Sequence, residues 1–204
     1  MIDKALTAAL LLTVVGCATA GSPEFQDGDI IFHTSTSSQS QALRLATDSP
    51  YTHMGIVFVE RDGPVVFEAV GPVKRTPLAE WVERGEGGQF VVKRLSDAQV
   101  QLTADAIARL KEVGDRYSGY PYDSRFEWSD ERIYCSELVW KMYKQALGVE
   151  IGQLERFRDF NLSDPVVVRK LEERFGVRIP LDEKVISPVS MFESDRLITV
   201  HERK

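Results

Sequence analysis

Apolar positions along this chain fall into short, dense runs separated by polar, turn-forming segments, and the spacing within each run indicates its element. Asp27-Gly28-Asp29 is a turn that feeds a brief buried strand, Ile30-Ile31-Phe32. Ser37 to Ala46 reads as a short helix, stopped by Asp48-Ser49-Pro50 because the residue before a proline is driven from helical geometry. Met54 to Val59 and Val65 to Val70 are two apolar runs flanking Glu60-Arg61-Asp62-Gly63-Pro64, a hairpin with Asp-Gly at its turn. Pro77 to Arg84 has the proline-first start of a helix, and Gln89 to Leu95 is a further strand. Val100, Leu102, Ala106, Leu110 and Val113 recur at mostly helical spacing, predicting one helix over 98–113 behind a Ser96-Asp97 cap. Gly114 to Glu131 is rich in Gly, Tyr, Asp and Ser and reads as a long ordered loop, a kind that usually has a functional reason. A helix from Ile133 closed by Gly148, a helix from Pro165 to Phe175 and a strand over Leu197 to Val200 complete the pattern.

The start of the chain has a different character. Met1-Ile2-Asp3-Lys4 precedes Ala5 to Val15, an apolar run of signal-peptide length that is too short to span a bilayer. Val14-Val15-Gly16-Cys17-Ala18 then matches a lipobox, with small residues before a cysteine whose thiol takes a diacylglycerol. This predicts a lipoprotein signal over 1–16, lipidation at Cys17, a polar tether over 17–26 and one domain over 27–204; an ordinary signal peptide cut near Ala18-Thr19-Ala20, with Cys17 lost, is the plainer alternative. Several acyl chains anchor a protein firmly where one does so marginally. The expected location is the bacterial cell envelope, and Ala18, which carries no retention signal, points to the outer membrane.

A net charge of −6 at pH 7, without any cluster of Lys or Arg, argues against nucleic acid as partner. With Cys17 lipidated, Cys135 has no disulfide partner in the chain, and a lone thiol in an oxidising envelope is either a buried small hydrophobe or a reactive group. Three scattered histidines and one free thiol form no ligand set at a recognisable spacing, so neither metal nor cofactor is expected.

Cys135 falls in the first turn of a helix whose apolar face is Leu138, Val139, Met142 and Ala146. Free amides and the helix dipole there favour a thiolate, and the same amides can stabilise an oxyanion beside it. Core packing on that face is the plainer alternative. A thiolate nucleophile needs a base, and the choices are His33, His53 and His201. His201 lies in a charged, solvated tail, and His33 ends the first strand, as readily an exposed loop residue as anything else. His53 stands where a loop enters a buried strand, held by a sheet yet able to face a cleft. Glu68 interrupts the apolar run Val65 to Val70, where a carboxylate is costly unless paired. If the hairpin sets these strands side by side, Glu68 can orient the His53 ring; otherwise strand alternation turns it to solvent at an edge.

Taken in order, Gly28-Asp29-Ile30-Ile31-Phe32, Ser49-Pro50-Tyr51-Thr52-His53-Met54-Gly55-Ile56-Val57, Phe67-Glu68-Ala69 and Tyr134-Cys135-Ser136-Glu137-Leu138-Val139 resemble the circularly permuted papain-like group of NlpC-type cysteine hydrolases, in its YiiX/YebB-like branch. The resemblance spans residues 27 to about 148, and the Tyr-Cys-Ser-Glu-Leu-Val string is its most diagnostic piece. It implies an α+β fold with a central antiparallel sheet and a packed nucleophile helix, Cys135 as nucleophile, His53 as base and Glu68 as the orienting residue. Related acyltransferases of the lecithin–retinol type tend to carry a second histidine where this chain has Glu68, which favours the YiiX-like branch. The implied reaction is cleavage of an amide or ester through an acyl-enzyme, on a cell-wall peptide or on a lipid or fatty-acyl conjugate. A catalytically silent lipoprotein that grips an acyl chain or wall peptide is the rival reading. Residues 149–204 match nothing in the resemblance, and no oligomeric state follows from it.

Overall fold

The computed structural model describes residues 24–204; the signal over 1–16, Cys17 and most of the tether lie outside the described residues. Six strands form one antiparallel sheet: β1 (Asp29–His33), β2 (His53–Glu60), β3 (Gly63–Ala69), β4 (Val73–Pro77), β5 (Phe90–Leu95) and β8 (Leu197–Arg203), in the spatial order β4-β3-β2-β1-β5-β8. The hairpin expected around Asp62-Gly63 is the β2–β3 pair, in register from Ile56 opposite Phe67 to Glu60 opposite Gly63. This is the α+β arrangement of a papain-like domain.

Strand alternation gives the sheet two apolar faces. Met54, Ile56, Phe58 and Phe67 pack on one side with α4 (Ala104–Tyr117) and α5 (Cys135–Leu147), where Leu138, Val139, Met142 and Ala146 are all buried as expected. Each large side chain so enclosed contributes about 1.5–3 kcal/mol. Val57, Val66 and Val92 face the other way, against Trp81 of α2 (Leu78–Glu83).

The predicted helix over 98–113 is two helices. After α3 (Ala98–Gln101) the chain breaks at Leu102, and α4 restarts behind Thr103, whose hydroxyl accepts from the Ala106 amide. A threonine in extended geometry is a stronger start signal than the apolar spacing that runs through it. The long loop is correspondingly shorter, because α4 absorbs residues 114–117. The next helix begins at Cys135 rather than Ile133, because the Ile133 amide donates to Pro121 O and its carbonyl accepts from Asp123 N. Those bonds hold Ile133 in extended pairing and leave Cys135 as the first helical residue. Gly148, with φ +70, ends α5 as anticipated.

The unassigned C-terminal part contributes α6 (Pro165–Phe175), a two-stranded ribbon of β6 (Glu155–Arg156) with β7 (Lys184–Val185), α7 (Pro188–Phe192) and the edge strand β8. It is fastened to the start of α5: Ser136 Oγ donates to Ile186 O at 2.7 Å and Ile186 N donates to Tyr134 OH at 3.0 Å. His201 is therefore not in a free tail; it pairs with Val92 in the sheet, its ring 5.5 Å from that of Phe90.

Gly55, two residues beyond His53, passes close under β3: a Cβ there would meet Val66 Cγ1 at 2.5 Å and the Phe67 carbonyl at 2.8 Å. At Gly114 a Cβ would meet side chains only, Met142 Cε at 2.7 Å and Phe67 Cε1 at 3.1 Å. Gly55→Ala is thus expected to destabilise the fold by roughly 1–3 kcal/mol, since backbone must move. Gly114→Ala should cost less than Gly55→Ala, because side chains rather than backbone must give and a helical alanine recovers about 1 kcal/mol of propensity. Urea unfolding of the two variants checks the contrast.

Candidate active site

The site is assembled at the end of the sheet where β2 begins. The loop entering it is set by α1 (Ser38–Thr47), which ends at Asp48 in left-handed geometry, and by the Thr52 amide, which donates to His33 O. His53 is then the first residue of β2, directly across from His33 of β1. Glu68 is fully buried on β3, an internal strand, so the solvent-facing edge alternative does not hold. Its Oε2 lies 2.5 Å from His53 Nε2. Its Oε1 accepts from Thr76 Oγ1 at 2.6 Å and from the Arg84 guanidinium.

These contacts decide the charges. Burial alone would push Glu68 up, but the hydrogen bond and charge of His53, then Thr76 and Arg84, hold its pKa down at about 2. Burial opposes charge on His53 as well. Hydrogen bonds with the Cys135 thiol and with Glu68, together with the negative charges of both partners, outweigh it and raise the pKa to about 9. Nε2 is committed to Glu68, which leaves Nδ1 as the ring nitrogen available to a second partner.

Cys135 is an unpaired, buried cysteine at the first residue of α5, preceded by Tyr134 in extended geometry. Beside it stands Tyr122, bonded by Gln39 Nε2 at 3.2 Å, whose hydroxyl is pushed up first by burial and then by charge on the Cys135 sulfur. The loop carrying Tyr122 is secured by Lys141, which reaches Ser129 O at 2.6 Å and Asp130 at 3.1 Å while pairing with the buried Glu137 at 2.9 Å. Burial lifts the Glu137 carboxyl to about 7 despite that partner.

The structure therefore brings Cys135, His53 and Glu68 together. His33, expected as a loop-side residue, is instead buried, its ring stacked on Trp81 at 3.9 Å and 5.3 Å from the His53 ring. Burial, then the nearby His53 and Arg84 charges, lower it to about 2, so it stays neutral. Thr76, Arg84 and Tyr122 escape a reading of the sequence: Thr76 lies on a strand that the apolar pattern does not reveal, and Arg84 and Tyr122 belong to a helix end and a loop with no local mark of what they touch.

A sulfur at a helix start, set against a histidine on an antiparallel sheet, defines a thiol hydrolase of papain-like architecture. Residues 24–201 match the family described as permuted papain-like amidase enzyme, YaeF/YiiX, C92 family, and the chain belongs to that family of cysteine amidases and peptidases. It is similar to the uncharacterized protein YiiX of Escherichia coli strain K12, 46% identical over 191 residues that cover 94% of this chain and 93% of the relative. It is also similar to a crystal structure described as metalloprotein yiiX from Escherichia coli O157:H7, DUF1105, with 48% identity and a TM-score of 0.83 over 87% of this chain and 97% of that one. In this chain, no group of three or more His, Cys, Asp or Glu side chains among the described residues has an arrangement that fits a metal ion. Glu68, the carboxylate bonded to the imidazole, already has its oxygens occupied by His53, Thr76 and Arg84.

The two shifts carry signs that can be measured. Between 6.5 and 9 the folded chain binds a proton at His53 that the unfolded chain has lost, so stability from this group is complete below 6.5 and disappears as pH rises through 9. The contribution of Glu68 is complete above 4.5 and disappears as pH falls through 2. Unfolding free energy should fall between pH 6.5 and 9, and Glu68→Gln should flatten that fall while moving the His53 titration, followed by NMR, toward 6.5.

Proposed function

We propose that this protein cleaves an amide or ester bond in the bacterial envelope through an acyl-enzyme, with Cys135 as nucleophile, His53 as proton carrier and Glu68 as the group that orients and charges the imidazole. The observation that carries the reading is the buried 2.5 Å contact between His53 Nε2 and Glu68 Oε2, with Cys135 near enough to raise the ring's affinity for its proton. A carboxylate held ionised in the interior costs several kcal/mol, and a purely structural histidine has no need of it.

In this mechanism the Cys135 proton rests on His53, whose pKa of about 9 keeps the ring charged at neutral pH, and the sulfur attacks the substrate carbonyl carbon. The unpaired amides in the first turn of α5 favour the negative charge on sulfur and on the developing oxyanion. As the carbon–nitrogen or carbon–oxygen bond breaks, His53 gives its proton to the leaving atom, and a thioester remains. Water then yields a proton to His53 and adds to the thioester; the carbon–sulfur bond breaks, the acid departs and the resting pair returns. The substrate is a wall peptide or a lipid or fatty-acyl conjugate, reached by a chain anchored through acylated Cys17.

Cys135→Ala and His53→Ala should each lower turnover of an amide or ester substrate by roughly 10³-fold or more, with the far-ultraviolet circular dichroism unchanged. Alkylation by iodoacetamide at neutral pH, read by intact mass, should vanish in both; labelling that survives the loss of His53 would count against its role as base. A silent binding protein would leave both variants functional in cells. For the anchor, Cys17→Ser should abolish incorporation of an alkyne-tagged fatty acid and move the protein from the membrane pellet to the soluble fraction.

A further inference from the structure

A strip of exposed hydrocarbon lies beside the point where the tether enters the domain. The last strand, β8, is an outer edge of the sheet, and Ile198 and Val200 on it are 49% and 38% exposed. The register shows which face they share. Phe90 and Val92 of β5 belong to the apolar cluster on the Trp81 side of the sheet, so Arg94, two residues on, points the same way. Ile198 lies opposite Arg94. Val200, two residues further along β8, is the extra residue of a bulge, between Thr199 opposite Lys93 and His201 opposite Val92. Both apolar side chains therefore project on the Trp81 side, beyond the rim of its core.

The chain enters the domain at the same place. Phe25 stacks on Phe90 with ring centres 6.4 Å apart, Phe90 in turn meets His201, and the Glu24 carbonyl accepts from Arg94 at 3.1 Å. Arg94 is itself held by Asp29 at 2.6 Å, which fixes the entry point against β5. Seven peptide links separate Cys17 from Glu24, and extended chain covers at most about 3.6 Å per link, or about 25 Å in all. An acyl group on Cys17 confines the β5–β8 edge to within that distance of a lipid surface. At such range the patch meets the bilayer at high effective concentration, and a contact too weak to hold the protein by itself still sets its orientation.

A second copy of the chain fits this edge less well. The bulge interrupts the ladder that edge-to-edge pairing needs, and Glu202, Arg203 and Lys204 charge the end of the strand. At a lipid interface neither feature is an obstacle, because long basic side chains keep their charge in water while their stems lie along hydrocarbon.

Resting on the reading of Cys17 as acylated, we infer that the β8 edge is a membrane-docking surface: Ile198 and Val200, with Phe25 beside them, settle into the lipid interface, and the sheet stands on this edge. β1 and β2 are two and three strand spacings from β8, about 10 and 14 Å, so this stance carries His53 close above the bilayer.

The experiment uses the full chain, expressed with an alkyne-tagged fatty acid and reconstituted on vesicles of phosphatidylethanolamine and phosphatidylglycerol. Cys135→Ala removes the native thiol, and a nitroxide is placed on Ile198→Cys or on Lys74→Cys of β4, five strand spacings and about 24 Å away at the opposite edge. On vesicles the 198 label should gain accessibility to oxygen and lose it to an aqueous nickel chelate, and the 74 label should stay aqueous. Val200→Glu should return the 198 label to aqueous values with the circular dichroism unchanged, and Val200→Phe should drive it deeper. A tagged chain whose 198 label stays as aqueous as the 74 label would overturn the docking and leave the anchor intact. A chain that takes up no tag would overturn the anchor, and the docking with it. Shielding at 198 that needs no vesicles and grows with protein concentration would assign the edge to a second copy and overturn the membrane assignment.

Discussion

A carboxylate with no exposure to solvent must be compensated on every side, and Glu68 organises much of this molecule around that requirement. Its two oxygens draw on three different elements: His53 at the head of β2, Thr76 on β4 and Arg84 at the end of α2. The β2–β3–β4 portion of the sheet and the helix that follows it must all be formed before the charge is satisfied. Once it is, the imidazole is held in one orientation with a raised affinity for its proton. The neutral His33, stacked between Trp81 and the same neighbourhood, adds a flat wall without adding charge.

The other half of the site depends on where a helix begins. Ile133 spends its backbone groups on Pro121 and Asp123, and this places the first helical turn at Cys135 rather than two residues earlier. The loop that supplies those partners is held by Lys141 and Glu137, which are themselves one turn apart on the helix they help to position. The C-terminal part closes the arrangement from outside through Ile186, which binds Tyr134 and Ser136 on either side of the sulfur. An apparently unrelated stretch of chain thereby both buttresses the nucleophile helix and walls an apolar cleft beside Cys135.

Much of this could be read from residue order. The β2–β3 hairpin followed from two apolar runs around Asp62-Gly63, the apolar face of α5 from its spacing, and its end from Gly148, because each of these is a local property of the backbone or of one periodic face. Local rules failed where a stronger neighbour intervened. Thr103 split a helix that apolar spacing had joined, and pairing to β5 drew His201 from a charged tail into the sheet.

For the site, the residue types were legible: one unpaired thiol, one histidine at a strand entry and one acidic residue inside an apolar run are each visible because they break a local pattern. Their convergence, the burial of His33 and the roles of Thr76, Arg84 and Tyr122 were not, because they rest on contacts between segments distant in the chain. Strand order sets Glu68 inside the sheet rather than at its edge, and the return of α6 across α1 creates a cleft that neither helix implies alone. Periodicity reports which side of an element is buried; what that side meets is settled only when the chain closes on itself.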